Sequence, residues 1–323
     1  MVYLEIVILV LFSFVLIKSA DTVVYALRGI NSRMGTGVFA LSAIILAVGT
    51  SLPELFVGVT SALEGSSELT FGVVIGSNIA NIALIGGVTA LIVGKVNIHG
   101  DYLKKDFLIA IVAGMLPVIF ILDGSLGRVD GLILLSLYAA YLARFFKTKF
   151  AEISQEHKKE SYFFRFLREI QFIERGIKHD AVKLFFGVAV LLFSADVIVK
   201  SSIAIANGFG ISVFVIGLIV IAIGTSLPEL AFSLRSLEDH EPSMFFGNIL
   251  GSTVINSTLI LGLTSFIYPI RIGSLDKYLE AVITFLVASI VLWSFVRTKH
   301  RLDRWEAAVL IIIYLIFVTL EFS

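Results

Sequence analysis

At 323 residues and zero formal net charge, the chain is 58% hydrophobic and only 15% charged, with a mean hydropathy of +0.98. Soluble domains carry about 25% charged residues, so this composition excludes a soluble globular protein, and the charge balance gives no basic signal for nucleic acid. The absence of cysteine excludes disulfides and thiolate metal sites.

With about 20 residues needed to cross a bilayer, the apolar runs predict an all-α membrane protein. Its ten transmembrane helices fall near 4–27, 36–62, 69–93, 106–122, 131–147, 182–206, 212–237, 244–268, 277–297 and 304–321. The first run has no basic segment ahead of it and leads straight into Lys18 and Asp21, so it reads as a retained helix and not a cleaved leader. The expected organisation is a five-helix repeat over 1–147, a linker over 148–180 and a second five-helix repeat over 181–323. The linker interleaves basic and acidic residues with Phe163, Phe164, Phe166, Leu167, Ile170, Phe172 and Ile173. A solvated connector between the halves explains it more simply than a surface-lying amphipathic helix. With the N-terminus outside, 20 Lys and Arg fall in cytoplasmic loops and 3 in outer ones. The positive-inside rule therefore predicts two extracytoplasmic termini and a cytoplasmic linker.

The two halves are copies of each other. Sliding 19–87 onto 194–262 needs no gap, and more than a third of the positions are identical. Ser19-Ala20-Asp21 falls on Ser194-Ala195-Asp196, Gly72 on Gly247, Gly76-Ser77 on Gly251-Ser252 and Asn81 on Asn256. The heptapeptide Gly-Thr-Ser-Leu-Pro-Glu-Leu stands at 49–55 and again at 224–230, each time inside an apolar run. Proline removes a helical hydrogen bond, and an intramembrane Glu costs about 2.5–3.5 kcal/mol on insertion scales, so a duplicated pair of such segments points to an ion site. Because each repeat holds an odd number of spans, the copies are expected to lie in opposite orientations about a pseudo-two-fold axis in the membrane plane.

The chemistry is concentrated in these segments. Thr50 and Glu54, four apart, share a helix face, and Pro53 leaves the Gly49 carbonyl without its helical donor. Irregular backbone at membrane depth is tolerated where it is buried or lines a cavity. Ser77 and Asn81 share a second face, and Thr225, Ser226, Glu229, Ser252 and Asn256 repeat the arrangement. Together they offer two carboxylates with hydroxyl, amide and carbonyl oxygens, and neither sulfur nor imidazole. Such hard oxygens suit Ca²⁺, which takes about 6–8 of them, better than transition metals. Two ionised Glu balance one Ca²⁺, two Na⁺ or two protons. Glu54 and Glu229 should then face each other near the bilayer midplane, with Pro53 and Pro228 marking helix breaks and helices 1 and 6 moving across this fixed core.

The paired Gly-Thr-Ser-Leu-Pro-Glu segments, each followed by Gly-Ser-x-x-x-Asn, resemble the α-repeats of the Ca²⁺/cation antiporter superfamily, most closely its prokaryotic Na⁺/Ca²⁺ exchanger branch. The resemblance implies an antiporter with no enzymatic activity and no cofactor, whose partners are the lipid bilayer and the ions Ca²⁺ and Na⁺, or H⁺. It implies a monomer in a prokaryotic cell membrane. It further implies that Glu54 and Glu229 are the central Ca²⁺ ligands and that Thr50 and Thr225 contribute oxygens to Ca²⁺ and to flanking Na⁺ sites. Ser51, Ser77, Asn81, Ser226, Ser252 and, by repeat, Asn256 complete the set. Many exchangers of this branch have Asp where this chain has Asn256, which leaves two acids instead of three and keeps an H⁺/Ca²⁺ exchanger on the same scaffold as the alternative. The Gly-Asn-x-x-Glu signature of H⁺/Ca²⁺ exchangers is absent.

Other classes fit less well. A channel filter is usually built on an axis normal to the membrane, and an intramembrane hydrolase needs a nucleophile–base pair that the spans do not supply. Gly72-x-x-x-Gly76 and Gly247-x-x-x-Gly251 match a helix-pairing pattern and are expected to pack helices within one protomer. Asp21 with Lys18 and Asp196 with Lys200 read as local ion pairs.

Overall fold

The computed structural model describes residues 2–34, 48–97, 102–156, 174–238, 242–271, 276–299 and 301–321. Among them the fold is helical. Backbone amides in lipid must be satisfied within their own segment, and these sequences supply long apolar runs with few breakers. Helix α1 covers Val2–Met34 and α2 covers Leu52–Leu63. Helix α3, Ser67–Ile79, passes through a π-helical segment at Ala80–Ile85 into α4, Gly86–Val93. Strand β1 (Lys95–Asn97), α5 (Tyr102–Phe120), β2 (Ser125–Leu126) and α6 (Arg128–Glu156) complete the first half.

The second half opens with α7, Glu174–Phe209. Helix α8 (Val213–Val215) runs through a π segment at Ile216–Ile221 into α9 (Ala222–Thr225), and α10 covers Leu227–Glu238. Helix α11 (Pro242–Val254) passes through a π segment at Ile255–Ile260 into α12 (Leu261–Ile267). Strand β3 (Ile270–Arg271), α13 (Asp276–Lys299), β4 (Arg301–Asp303) and α14 (Arg304–Glu321) follow.

Seven stretches among the described residues are long and apolar enough to cross a membrane: Val2–Ala26, Ser67–Val93, Lys105–Asp123, Asp180–Phe209, Val213–Glu238, Pro242–Ile267 and Tyr278–Thr298. The expected second span is represented by the short apolar helix Leu52–Leu63, because residues 35–47 lie outside the described residues. The expected fifth and tenth spans correspond to α6 and α14, both helical. The amphipathic stretch expected at 163–173 also lies outside the described residues.

Elements of one half pack on their non-equivalents in the other. Strand β1 pairs antiparallel with β4, and β2 with β3. Helix α4 packs on α14, and α12 on α6. The largest apolar cluster threads α3, α5, α11, α13 and α14. A second cluster holds α1 and α7 together through Leu9, Leu16, Leu191 and Ile198. This pair touches the rest mainly at Leu52, Val57, Leu69, Val73, Ile216 and Ile221.

Two glycines bring α3 into backbone contact with the α8–α9 run. A Cβ at Gly72 would lie 2.2 Å from the Phe214 carbonyl oxygen, and one at Gly76 would lie 1.9 Å from that of Leu218. Gly217 is held as closely from the other side, 2.5 Å from the Leu69 oxygen. The glycine pair therefore packs helices inside one chain, as expected. The offset maps the facing run of Gly247 and Gly251 onto 38–46, outside the described residues. At one end of α3, Glu68 Oε1 accepts from the Tyr278 hydroxyl at 2.8 Å and from Ser212 Oγ at 3.0 Å, tying the first turns of three helices together.

Gly76→Ala is expected to destabilise the protein by about 3 kcal/mol or more, since the added methyl meets backbone and not a movable side chain. Gly86→Ala, whose Cβ would meet its nearest atom at an ordinary 3.4 Å, should change stability by less than about 1 kcal/mol. Thermal loss of the monodisperse peak in detergent measures both. Equal midpoints would remove the close approach as a constraint.

Candidate cation site

Each heptapeptide folds as a helix interruption. The turn falls on the serine two residues ahead of the expected break: Ser51 has φ −89° and ψ 9°, and Ser226 has φ −85° and ψ 3°. Proline then sits near the start of the following helix, where its missing N–H costs least. The chain resumes its helical bonding at once, with Leu55 N donating to Ser51 O at 3.0 Å and Leu230 N to Ser226 O at 3.2 Å. Glu54 and Glu229 thereby land in the first turns of α2 and α10, where the helix dipole favours negative charge.

All ten residues singled out from the sequence are buried, and none is more than 8% exposed. Six of them come together in a crossed pattern. The Glu54 carboxyl group lies beside the hydroxyls of Ser77 of its own half and Thr225 of the other, and Glu229 lies beside Ser252 and Thr50. The two carboxyl groups are within electrostatic reach of each other. Among the described residues no conventional hydrogen bond closes on them: both oxygens of Glu54 and both of Glu229 lack a protein partner.

The same holds for the Oγ atoms of Ser51, Ser77, Ser226 and Ser252, for both ends of the Asn81 amide and for the Asn256 Oδ1. Buried polar groups are satisfied in the great majority of cases, so these unpartnered groups mark the residues as candidates for holding something outside the chain. Thr50 and Thr225 differ. Thr225 Oγ1 donates to the Ile221 carbonyl at 3.0 Å, and Thr50 Oγ1 lies 3.5 Å from Asn248 Oδ1. Among the described residues no group of three or more His, Cys, Asp or Glu could hold a metal. The donors are therefore two acids and a shell of neutral oxygens.

Asn81 and Asn256 both lie on π segments, Ala80–Ile85 and Ile255–Ile260, which are equivalent under the repeat. A π turn inserts a residue into the helical register and often marks a functional site. Periodicity could not reveal it, since an α-helical reading places Ser77 and Asn81 on one face without it.

Sequence reasoning also passed over Asn248, Asn78 and Ser257. The Asn248 Nδ2 lies 3.4 Å from both the Glu229 carbonyl and Ser233 Oγ. The Asn78 Nδ2 donates to Ser257 Oγ at 2.8 Å, and Asn256 Nδ2 donates to Asn78 Oδ1 at 3.3 Å. Their repeat counterparts are Val73, Thr253 and Ile82, so the duplication filter that singled out the others concealed these three. Asp21 and Asp196 stay outside the site, Asp21 beside Lys18 at 3.7 Å and Asp196 beside Lys200 at 2.8 Å.

A polytopic helical protein whose halves each bring a carboxylate and hydroxyls to one buried centre is of the class that carries cations through membranes. The family described as Sodium/calcium exchanger protein matches residues 4–147 and 179–322, and the chain belongs to that family. It is 29% identical to the sodium/calcium exchanger MaX1 of Methanosarcina acetivorans, over 95% of each chain. It is 31% identical to the inner membrane protein YrbG of Escherichia coli, over 85% of this chain and 83% of that one. Its fold superposes on the sodium-calcium exchanger NCX_Mj, solved after soaking with Na⁺ and Sr²⁺, with a TM-score of 0.63 and 25% identity over 99% of both chains. The protein is thus an integral membrane exchanger with prokaryotic relatives, and a transporter instead of an enzyme.

Two buried carboxylates within electrostatic reach of each other repel when both are ionised. In chelator-treated, Na⁺-free buffer, Glu54→Gln and Glu229→Gln are each expected to stabilise the fold by about 1–3 kcal/mol, as replacing buried charge often does. Thermal unfolding followed by tryptophan fluorescence gives the result. Lower midpoints for both variants would mean that the carboxylates hold the fold together instead.

Proposed function

We propose that the protein exchanges Ca²⁺ for Na⁺ by alternating access, at a site built from Glu54, Glu229, Thr50, Thr225, Ser51, Ser226, Ser77, Ser252, Asn81 and Asn256. The observation that carries this reading is the set of unpartnered oxygens on both glutamates and four serines. A hard cation with about 6–8 oxygen ligands supplies the missing partner to all of them at once and balances the two charges. The relatives MaX1 and NCX_Mj are named sodium/calcium exchangers, which favours Na⁺ as the counter-ion. No resident cofactor is part of this cycle, and one protomer supplies both halves of the site.

The architecture in this proposal is ten spans in two inverted five-helix repeats, 1–147 and 181–323, joined by the linker 148–180, with both termini extracytoplasmic. Strand pairing supports it. Strand β1 follows the third span and β4 follows the ninth, while β2 follows the fourth and β3 the eighth. The pairing of β1 with β4 and of β2 with β3 puts the connection after span 3 on the side of that after span 9. The connection after span 8, its repeat counterpart, shares a side with the one after span 4. If span 4 crosses the bilayer, equivalent connections lie on opposite sides, which is inversion. The separate cluster formed by α1 and α7 fits a pair of helices that slides over the site while the rest stays fixed.

Proteoliposomes loaded with Na⁺ and diluted into Na⁺-free medium should accumulate radiolabelled Ca²⁺, and a pH gradient alone should not drive uptake. The reverse result would replace Na⁺ by H⁺, and current without an opposing gradient would make the protein a channel. Glu54→Gln and Glu229→Gln should each abolish uptake in folded protein. Asn256→Asp should alter the Na⁺ or pH dependence more than stability, because it adds a third acid to the site. Unchanged Na⁺, H⁺ and Ca²⁺ dependences in that variant would take position 256 out of the ion path.

A further inference from the structure

The asymmetric polar chain beside the site has a consequence of its own, which rests on the reading just given. Ser257 Oγ, the Asn78 amide and the Asn256 amide form a relay. Asn78 Nδ2 donates to Ser257 Oγ at 2.8 Å, and Asn78 Oδ1 accepts from Asn256 Nδ2 at 3.3 Å. All three residues are buried, at no more than 1% exposure. The relay occupies the nitrogen end of the Asn256 amide and leaves Oδ1 without a partner.

An amide has two unlike ends. The oxygen accepts and can ligate a hard cation, and the nitrogen can only donate. Asn256 lies one turn beyond Ser252, which faces Glu229, and its π segment packs on α2, which carries Glu54. Ionised carboxylates are the strongest acceptors in such a place. A free amide there turns its nitrogen towards them and presents no ligand.

The other half differs. The repeat counterpart of Asn78 is Thr253, whose hydroxyl donates to its own helix at Ile249 O, 3.0 Å away. Both ends of the Asn81 amide are unpartnered.

We propose that Asn78 is a positioning residue that locks the Asn256 amide with its oxygen toward the transported cation, so that Asn256 is a fixed ligand and Asn81 an adaptable one. A carboxylate has two equivalent oxygens and needs no such lock. Asn78 therefore matters when position 256 is Asn and ceases to matter when it is Asp, and this coupling is absent from a purely structural role.

The test is a double-mutant cycle read by isothermal titration of Ca²⁺ into detergent-purified protein, with Na⁺-driven Ca²⁺ flux as a second readout. Asn78→Leu should weaken Ca²⁺ binding about tenfold, the order of one oriented ligand contact. In the Asn256→Asp background the same substitution should cost less than about threefold. Ser257→Ala, which removes only a hydroxyl, should weaken binding by about threefold in the Asn256 protein and hardly at all beside Asp. It decides the question alone if Asn78→Leu fails to fold. Thr253→Val, at the equivalent position of the other half, should leave affinity at the wild-type value. Equal losses in both backgrounds, or no loss from either variant, would overturn the role of Asn78 while leaving the exchanger reading intact. A wild-type protein that neither binds nor carries Ca²⁺ would overturn both.

Discussion

Two carboxyl groups, Glu54 and Glu229, lie fully buried within electrostatic reach of each other and have no hydrogen-bond partner among the described residues. An ionised carboxylate taken out of water costs several kcal/mol even after relaxation, and placing two together adds repulsion. Much of the surrounding structure serves to hold this arrangement. The helix interruptions at Ser51 and Ser226 set each glutamate in the first turn of a new helix, where the backbone dipole offsets part of the cost. The crossed placement of Thr225 beside Glu54 and Thr50 beside Glu229 makes either half of the site incomplete without the other. In the proposed exchange a cation completes this centre.

Holding that centre takes close packing in a medium where apolar surface alone drives little association between helices. Here the contact is made by backbone. Gly72 and Gly76 let α3 lie against Phe214 and Leu218, with Gly217 reciprocating against Leu69. The contact joins the first half's serine-asparagine helix to the second half's broken one, and it is made by residues that have no side chain. The α1–α7 pair is held differently, by its own apolar cluster and a limited patch on the core. That difference fits the proposed cycle, in which one part stays fixed while the other shifts so that the site meets one side of the membrane at a time.

The halves are related but not interchangeable. Strand pairing and helix packing cross between them in matching ways. Yet Asn248, Asn78 and Ser257 add polar contacts that Val73, Thr253 and Ile82 cannot supply at the equivalent places. A binding centre with exact two-fold symmetry would offer a cation the same ligands from either side. These three side chains break the equivalence without touching the duplicated motif. Through Asn78 and Ser257 the Asn256 amide is hydrogen-bonded to the protein, while no hydrogen bond is made to its counterpart Asn81 among the described residues.

The sequence by itself determined the membrane class, the duplication and the placement of both glutamates inside apolar runs. Hydropathy and repetition are local properties, and a proline and a carboxylate kept twice in apolar surroundings are too costly to be incidental. It also placed the glycine pair within one chain and the aspartates in local ion pairs. Only the tertiary structure decided the rest. It put the interruption on serine and not on proline, because proline is tolerated in the first turn of the helix that follows. It placed Asn81 and Asn256 on π segments, a register change that no period of 3.6 can announce. It crossed the threonines to the opposite glutamates and disclosed Asn78, Asn248 and Ser257, because contacts between halves depend on how two helices lie against each other. A pattern read along one chain carries no information about that separation, which is set here by glycines against carbonyl oxygens.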